Sequence, residues 1–191
     1  MTRLVKWIRK NQKGTTMVEM IVTFGLLSIF LTASVMLVAN YANIQAKISG
    51  QISAENVSEM VLNTVEGELS KATELFGTGN KFIQVSEDVV FGKVIEFSNK
   101  DKYKSKMFIK DGMLEIDYFR RADIVMDSST VVSRWYFDEK VYMGNKITQF
   151  DIEEFKTGGR VVQGVYKVKI KVENGSSSVE KSRLIEIRNA I

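Results

Sequence analysis

A chain of 191 residues with no cysteine and no histidine has a narrow choice of chemistry. It can form no disulfide and no thiolate nucleophile, and it lacks both the commonest general base and the commonest transition-metal ligand. No hydroxyl or amine stands in a nucleophile–base pattern, so the chain reads as non-enzymatic, with no cofactor and no metal site. Asp88, Asp101, Asp111, Asp117, Asp123, Asp127 and Asp138 are oxygen donors that calcium could use, but nowhere do they fall into the alternating ligand spacing of a calcium loop. Their plainer reading is solvated loop and strand-face acids. Lys167, Lys169 and Lys171 alternate with Val168, Ile170 and Val172, which puts three ammonium groups on one strand face beside Tyr166. Such a row could meet DNA, and it equally suits a solvated strand face whose lysines discourage edge-to-edge aggregation. The acid that asks most for an explanation is Glu19. It stands five residues after Gly14 and directly before the segment 20–39, which carries no charged side chain.

The elements that place Glu19 follow from charge and hydropathy. Arg3, Lys6, Arg9, Lys10 and Lys13 precede Gly14 with no acid among them. Without those five, 22 basic residues face 23 acidic ones, a formal charge of −1 against +4 for the whole chain. The alkaline character therefore belongs to residues 1–14, a basic leader, and says little about nucleic acid affinity, which needs clustered positive charge. Residues 15–39 read as a transmembrane and assembly helix, whose charge-free part 20–39 is close to the ~20 residues needed to cross ~30 Å of hydrocarbon. The core is longer than that of a secretory signal peptide, and the surroundings of Val38 to Ala42 offer no small-x-small cleavage site. The lysine and arginine cluster places the N-terminus in the cytoplasm and the remainder outside. A carboxylate at membrane depth costs about 2.5–3.5 kcal/mol on insertion scales and calls for a partner. The plainer reading of Glu19 is an interfacial acid favoured by the helix macrodipole.

Beyond Asn40 the apolar residues Ile44, Ile48, Ile52, Val57, Val61, Val65, Leu69, Ala72 and Leu75 recur at mostly four-residue intervals, with one longer step. This predicts an amphipathic helix over 40–76, stopped by Gly77-Thr78-Gly79-Asn80. From 77 to 191 the pattern changes to period two. Strands are expected at Phe82–Val85, Val89–Phe97, Lys106–Lys110, Met113–Phe119, Val131–Phe137, Ile147–Phe155, Val161–Val172 and Val179–Ile187. Lys110-Asp111-Gly112, Thr157-Gly158-Gly159 and Asn174-Gly175-Ser176 read as hairpin turns. The fold class is α+β, a mainly antiparallel sheet with one face laid over the helix stripe at 52–76. Trp135, Tyr136 and Phe137 fit a strand buried on one side, with a carbohydrate- or partner-contact patch as the alternative.

The succession of a basic leader ending Lys13-Gly14, then Thr15-Thr16-Met17-Val18-Glu19, then the apolar run from Met20 to Ala39, resembles the precursors of type IV pilins and pseudopilins. The resemblance implies a prepilin peptidase that cuts between Gly14 and Thr15, methylation of the new amino terminus, and assembly with other pilin or pseudopilin subunits through Thr15 and Glu19. It implies no enzyme activity. The partners are thus the peptidase, fellow subunits and, before assembly, membrane lipid. The localisation is a single-pass membrane protein that passes into a surface pilus or a pseudopilus. The chain departs from the frequent family pattern in having Thr15 for phenylalanine and Met36 for proline, and in lacking a C-terminal cysteine pair. These departures, with the sheet-rich C-terminal part, resemble the J-type or W-type minor subunits of Gram-positive systems. Once cut, Thr15 carries an α-amine four residues before Glu19, one helical turn away. The alternative is a plain single-pass anchor for an extracytoplasmic binding domain.

Overall fold

The computed structural model describes residues 16–73, 82–99, 103–120, 126, 129–175 and 177–188. Two compact units divide the chain, Met1–Ala46 and Lys47–Ile191. Helix α1, Met17–Leu69, supplies residues to both.

In the first unit the helix is apolar and exposed, with Phe24, Ile29 and Leu37 among its bare side chains. The Ser and Thr hydroxyls of residues 20–39 bond the helix's own carbonyls. Thr23 Oγ1 donates to Glu19 O at 2.7 Å, and Ser28, Thr32 and Ser34 donate to Gly25, Ser28 and Phe30 carbonyls at 2.8 Å each. A polar group left without a partner in hydrocarbon costs several kcal/mol, so this inward pairing suits a lipid-facing helix.

In the second unit the helix is the spine of a two-sheet core. Strands β1 (Ala72–Thr73), β2 (Ile83–Asp88), β3 (Gly92–Asn99), β4 (Tyr103–Lys110), β5 (Met113–Arg120) and β6 (Ser133–Tyr136) form one antiparallel sheet. Its order is β1-β3-β4-β5-β6, with β2 also paired to β3. After the short helix α2 (Glu139–Tyr142), strands β7 (Lys146–Thr157), β8 (Arg160–Asn174) and β9 (Ser177–Glu186) form a second antiparallel sheet, order β7-β8-β9. Ala54, Val57, Val61, Leu62, Val65 and Leu69 of α1 share one buried cluster with Phe97, Met107 and Ile116 of the first sheet and Val168, Ile170 and Ile185 of the second. The turns have the chemistry the sequence demands: Asp111 and Gly112 lie at φ 54° and 84°, and Gly158 and Gly159 at 56° and 80°. These are the left-handed values that two-residue hairpin turns require.

Three expectations need correction. Helix α1 ends at Leu69 rather than Phe76, because Ala72 and Thr73 pair with Asn99 and Ser98 as β1; the expected stop at 77–80 lies outside the described residues. The segment Val89–Phe97 starts late as a strand. Asp88 Oδ1 accepts from Val90 N at 2.8 Å and Phe91 N at 3.3 Å, which turns the chain before β3 begins at Gly92. The helix stripe is two stripes. The five-residue step from Ile52 to Val57 rotates the apolar face by about 140° at 3.6 residues per turn. Val57 and Val61 are accordingly buried, while Ile48 and Ile52 remain 52% and 54% exposed. The core face of the helix therefore begins at Ala54 rather than Ile52.

Candidate functional site

Thr16 stands immediately before α1, and Glu19 lies in its first turn. The two residues serve each other. Thr16 N–H donates to Glu19 Oε2 at 3.1 Å, Glu19 N–H donates to Thr16 Oγ1 at 3.3 Å, and Thr16 Oγ1 lies 3.4 Å from the same carboxylate oxygen. This is a reciprocal capping box, in which two helix donors without a preceding carbonyl find side-chain acceptors. The carboxylate also sits at the positive end of the helix dipole. The Thr16-x-x-Glu19 spacing was the legible signal for this bond. Gly14 and Thr15, expected as the cleavage pair, lie outside the described residues. Among the described residues only Oε2 of the carboxylate is hydrogen-bonded.

The other candidate groups are absorbed by the fold. Lys169 Nζ pairs with Glu180 at 2.8 Å and Lys171 Nζ with Glu173 at 2.6 Å. The hydrogen bond to Glu180 holds the Lys169 ammonium above its ordinary range. Across the strands, Lys167 lies opposite Glu153 and Lys169 opposite Asp151. A phosphate backbone would have to displace these carboxylates, so the row is a neutralised grid and a poor footprint for DNA. Among the aspartates, Asp88 caps the β2–β3 turn, Asp111 occupies the β4–β5 turn and Asp138 caps α2 through Lys140 N. Asp117 grips Arg134 with bonds of 2.5 and 2.9 Å. Asp101, Asp123 and Asp127 lie outside the described residues. Trp135 and Phe137 are half-buried and meet edge-on at 4.6 Å between ring centroids, while Tyr136 is exposed.

The sequence reading also missed a ladder that joins α1 to β9. Lys181 Nζ reaches Glu59 at 2.7 Å and Glu55 at 3.1 Å. Arg183 reaches Glu59 and Asn63 at 2.5 Å and Glu66 at 2.8 Å. The signal was present in Glu55, Glu59, Asn63 and Glu66, spaced along one helix face, and in two cations at alternate positions of the last strand. The hydrogen bond from Lys181 holds the Glu59 carboxyl below its ordinary 4.5, and the same bond raises Lys181 above its ordinary 10.5.

The model of the prokaryotic N-terminal methylation motif matches residues 9–35. The match spans the last basic residues before Gly14, Glu19 and most of the charge-free segment 20–39, and the motif indicates a type IV pilin- or pseudopilin-like precursor. The motif implies processing by a prepilin peptidase and assembly with other pilin subunits. The long helix followed by antiparallel sheets is an α+β architecture consistent with a pilin-like fold. No curated protein and no solved structure shows a significant match to the chain.

Proposed function

We propose that the protein is a structural subunit, and a minor one, of a type IV pilus or a type II secretion-like pseudopilus. Residues 1–14 are the cytoplasmic leader, 15–39 the membrane and assembly segment, and the part beyond them is extracytoplasmic. The prepilin peptidase cuts between Gly14 and Thr15, which removes five positive charges and exposes an α-amine beside Glu19. The observation that carries this reading is one carboxylate at the head of the charge-free segment 20–39, whose four Ser and Thr hydroxyls all donate to the helix's own carbonyls. The capping box bonds Oε2 and leaves Oε1 for the α-amine of the same subunit or of a neighbour. Glu19 can therefore cap its own helix and answer an amine at once. The exposed Ile48 and Ile52, with Ile44 four residues earlier in sequence, extend the apolar surface that a filament interior would cover. The large two-sheet unit supports the minor role and the resemblance to J-type or W-type subunits.

The test is Glu19→Val in cells that assemble the filament. The variant should enter the membrane as the natural protein does and be depleted from sheared filaments. Undiminished incorporation would show that the carboxylate has no assembly role and would favour the plain anchor.

A further inference from the structure

Hairpin turns are ordinarily built from glycine, asparagine, aspartate and serine. Three of the described hairpins follow that rule, with tips at Asp111-Gly112, Gly158-Gly159 and Gly175. The turn between β2 and β3 does not, since it reads Val89-Val90-Phe91. Val89 is fully exposed and Val90 is 78% exposed. The turn is nonetheless held firmly. The Asp88 carboxylate accepts from the N–H groups of Val90 and Phe91, and the Phe91 ring lies 4.3 Å from that of Phe108. The two valines thus form a knob on a fixed base, and seating a preorganised knob in a partner costs little ordering entropy.

Beside the knob, the two sheets leave an open cavity of about 330 Å³. Phe91, Gly92 and Lys93 line it together with Ile109 on one side, and Ile147 to Asp151 of β7 line it on the other. The bulge between Ile147 and Gln149 lies along this wall. Ile147 and Phe150 are buried and Ile109 is half-buried, so the cavity has an apolar floor. At its rim Asp151 accepts from Lys93 and, at 2.5 Å, from Gln149. No unpaired charge there resists an apolar side chain. At about 30 Å³ for each water-sized group, the cavity has more room than two valine side chains fill. The knob does not fill the cavity of its own chain, because both valines are bare.

We infer that the knob and the cavity are partners in trans: the Val89–Val90 tip of one copy seats in the inter-sheet cavity of a second copy of this chain. A second copy is indicated because one surface carries both halves, with Gly92 and Lys93 of the cavity wall directly after the knob. Two copies can then exchange knobs about a twofold axis, the self-complementary contact of a symmetric pair. Two turns in two cavities bury less than the ~1,200 Å² of a standard stable interface. The pairing is therefore transient and belongs to chains crowded in a membrane. It rests on the membrane-held chain of the reading above and needs no filament.

The chain has no cysteine, so a disulfide forms only where cysteines are introduced. Full-length Val90→Cys and Thr148→Cys proteins are mixed, reconstituted together in phosphatidylcholine vesicles and mildly oxidised. The mixed disulfide, knob to cavity, should form about tenfold faster than either disulfide between like chains. Adding Val89→Ser to the Val90→Cys chain should slow it about tenfold, the effect of leaving one valine side chain in water. The melting temperature should not move, because Val89 is bare in its own chain. Mixed disulfides no faster than like ones, or a rate indifferent to Val89→Ser, would overturn the pairing and leave the knob to a different protein. A polarity-sensitive dye on Val90→Cys that reports an apolar surrounding below one chain per vesicle would assign the knob to lipid, and would equally overturn it. Leader cleavage and filament incorporation play no part in these readouts, so this inference and the proposed function fail separately.

Discussion

On the proposed reading Glu19 holds two roles, cap and amine partner, because a carboxylate has two oxygens and a helix start has donors to spare. The reciprocal bond with Thr16 keeps the side chain against its own backbone, where its charge is partly compensated before any neighbour arrives. Thr16→Ala should therefore loosen the first turn by about 0.5–2 kcal/mol, the usual cost of losing a hydroxyl cap. The loss would be seen as faster amide exchange at Met17 to Met20. Unchanged exchange there would mean that the cap contributes nothing in the membrane-mimicking medium. Much at this scale was legible in the sequence: the basic leader, Gly14 and the lone acid read directly, because charge in an apolar run is conspicuous. The Thr16 cap was legible as well, in the Thr16-x-x-Glu19 spacing of a capping box. The row of Lys167, Lys169 and Lys171 was the part that misled. Its neutralising partners Glu180, Asp151 and Glu153 sit on neighbouring strands, and pairing register cannot be read from alternation alone; only Glu173 lies on the same strand, two residues after Lys171.

At the scale of elements, α1 carries two apolar faces in succession, and the single five-residue step between Ile52 and Val57 separates them. Leu62→Ala, on the buried face, should destabilise the folded protein by about 2–5 kcal/mol through the cavity it leaves. Ile52→Ala should leave the melting temperature nearly unchanged and act on filament incorporation instead. Thermal melts of the two variants check the split, and equal destabilisation would contradict it. The ladder between α1 and β9 gives a pH dependence with a definite sign. Glu59 is held below its ordinary 4.5, so its contribution is whole above that value and is lost as pH falls through the lowered folded value. Lys181 is raised above its ordinary 10.5, so its contribution is whole below that value and is lost as pH rises through the raised one. Stability should therefore show an acid-side loss that Glu59→Gln diminishes, measured by melting at stepped pH. Arg183→Ala removes three acceptors from one guanidinium at once and should cost about 1–2 kcal/mol, more than a single exposed pair. The strands were legible because period-two alternation and glycine turns are local signals. The end of α1 was not, because Ala72 and Thr73 leave the helix only to pair with residues more than twenty positions away, a tertiary choice that helical periodicity does not record.

At the scale of the whole molecule, a basic stretch, an apolar helix and a two-sheet unit follow one another, and the methylation motif over residues 9–35 spans the junction of the first two. The α+β class was legible from the change of period after the helix. The division of the strands into two sheets was not, since hairpin order leaves open where one sheet ends, and the break between β6 and β7 is made by the short helix α2 and its packing. The central claim is that the leader is removed and the helix becomes an assembly element. The most direct measurement is the mass of the N-terminal peptide of the protein recovered from membranes of cells with an active prepilin peptidase. The account predicts a chain that begins at Thr15, with the peptide 1–14 missing. A chain that keeps Met1 or the leader lysines in those cells would contradict it.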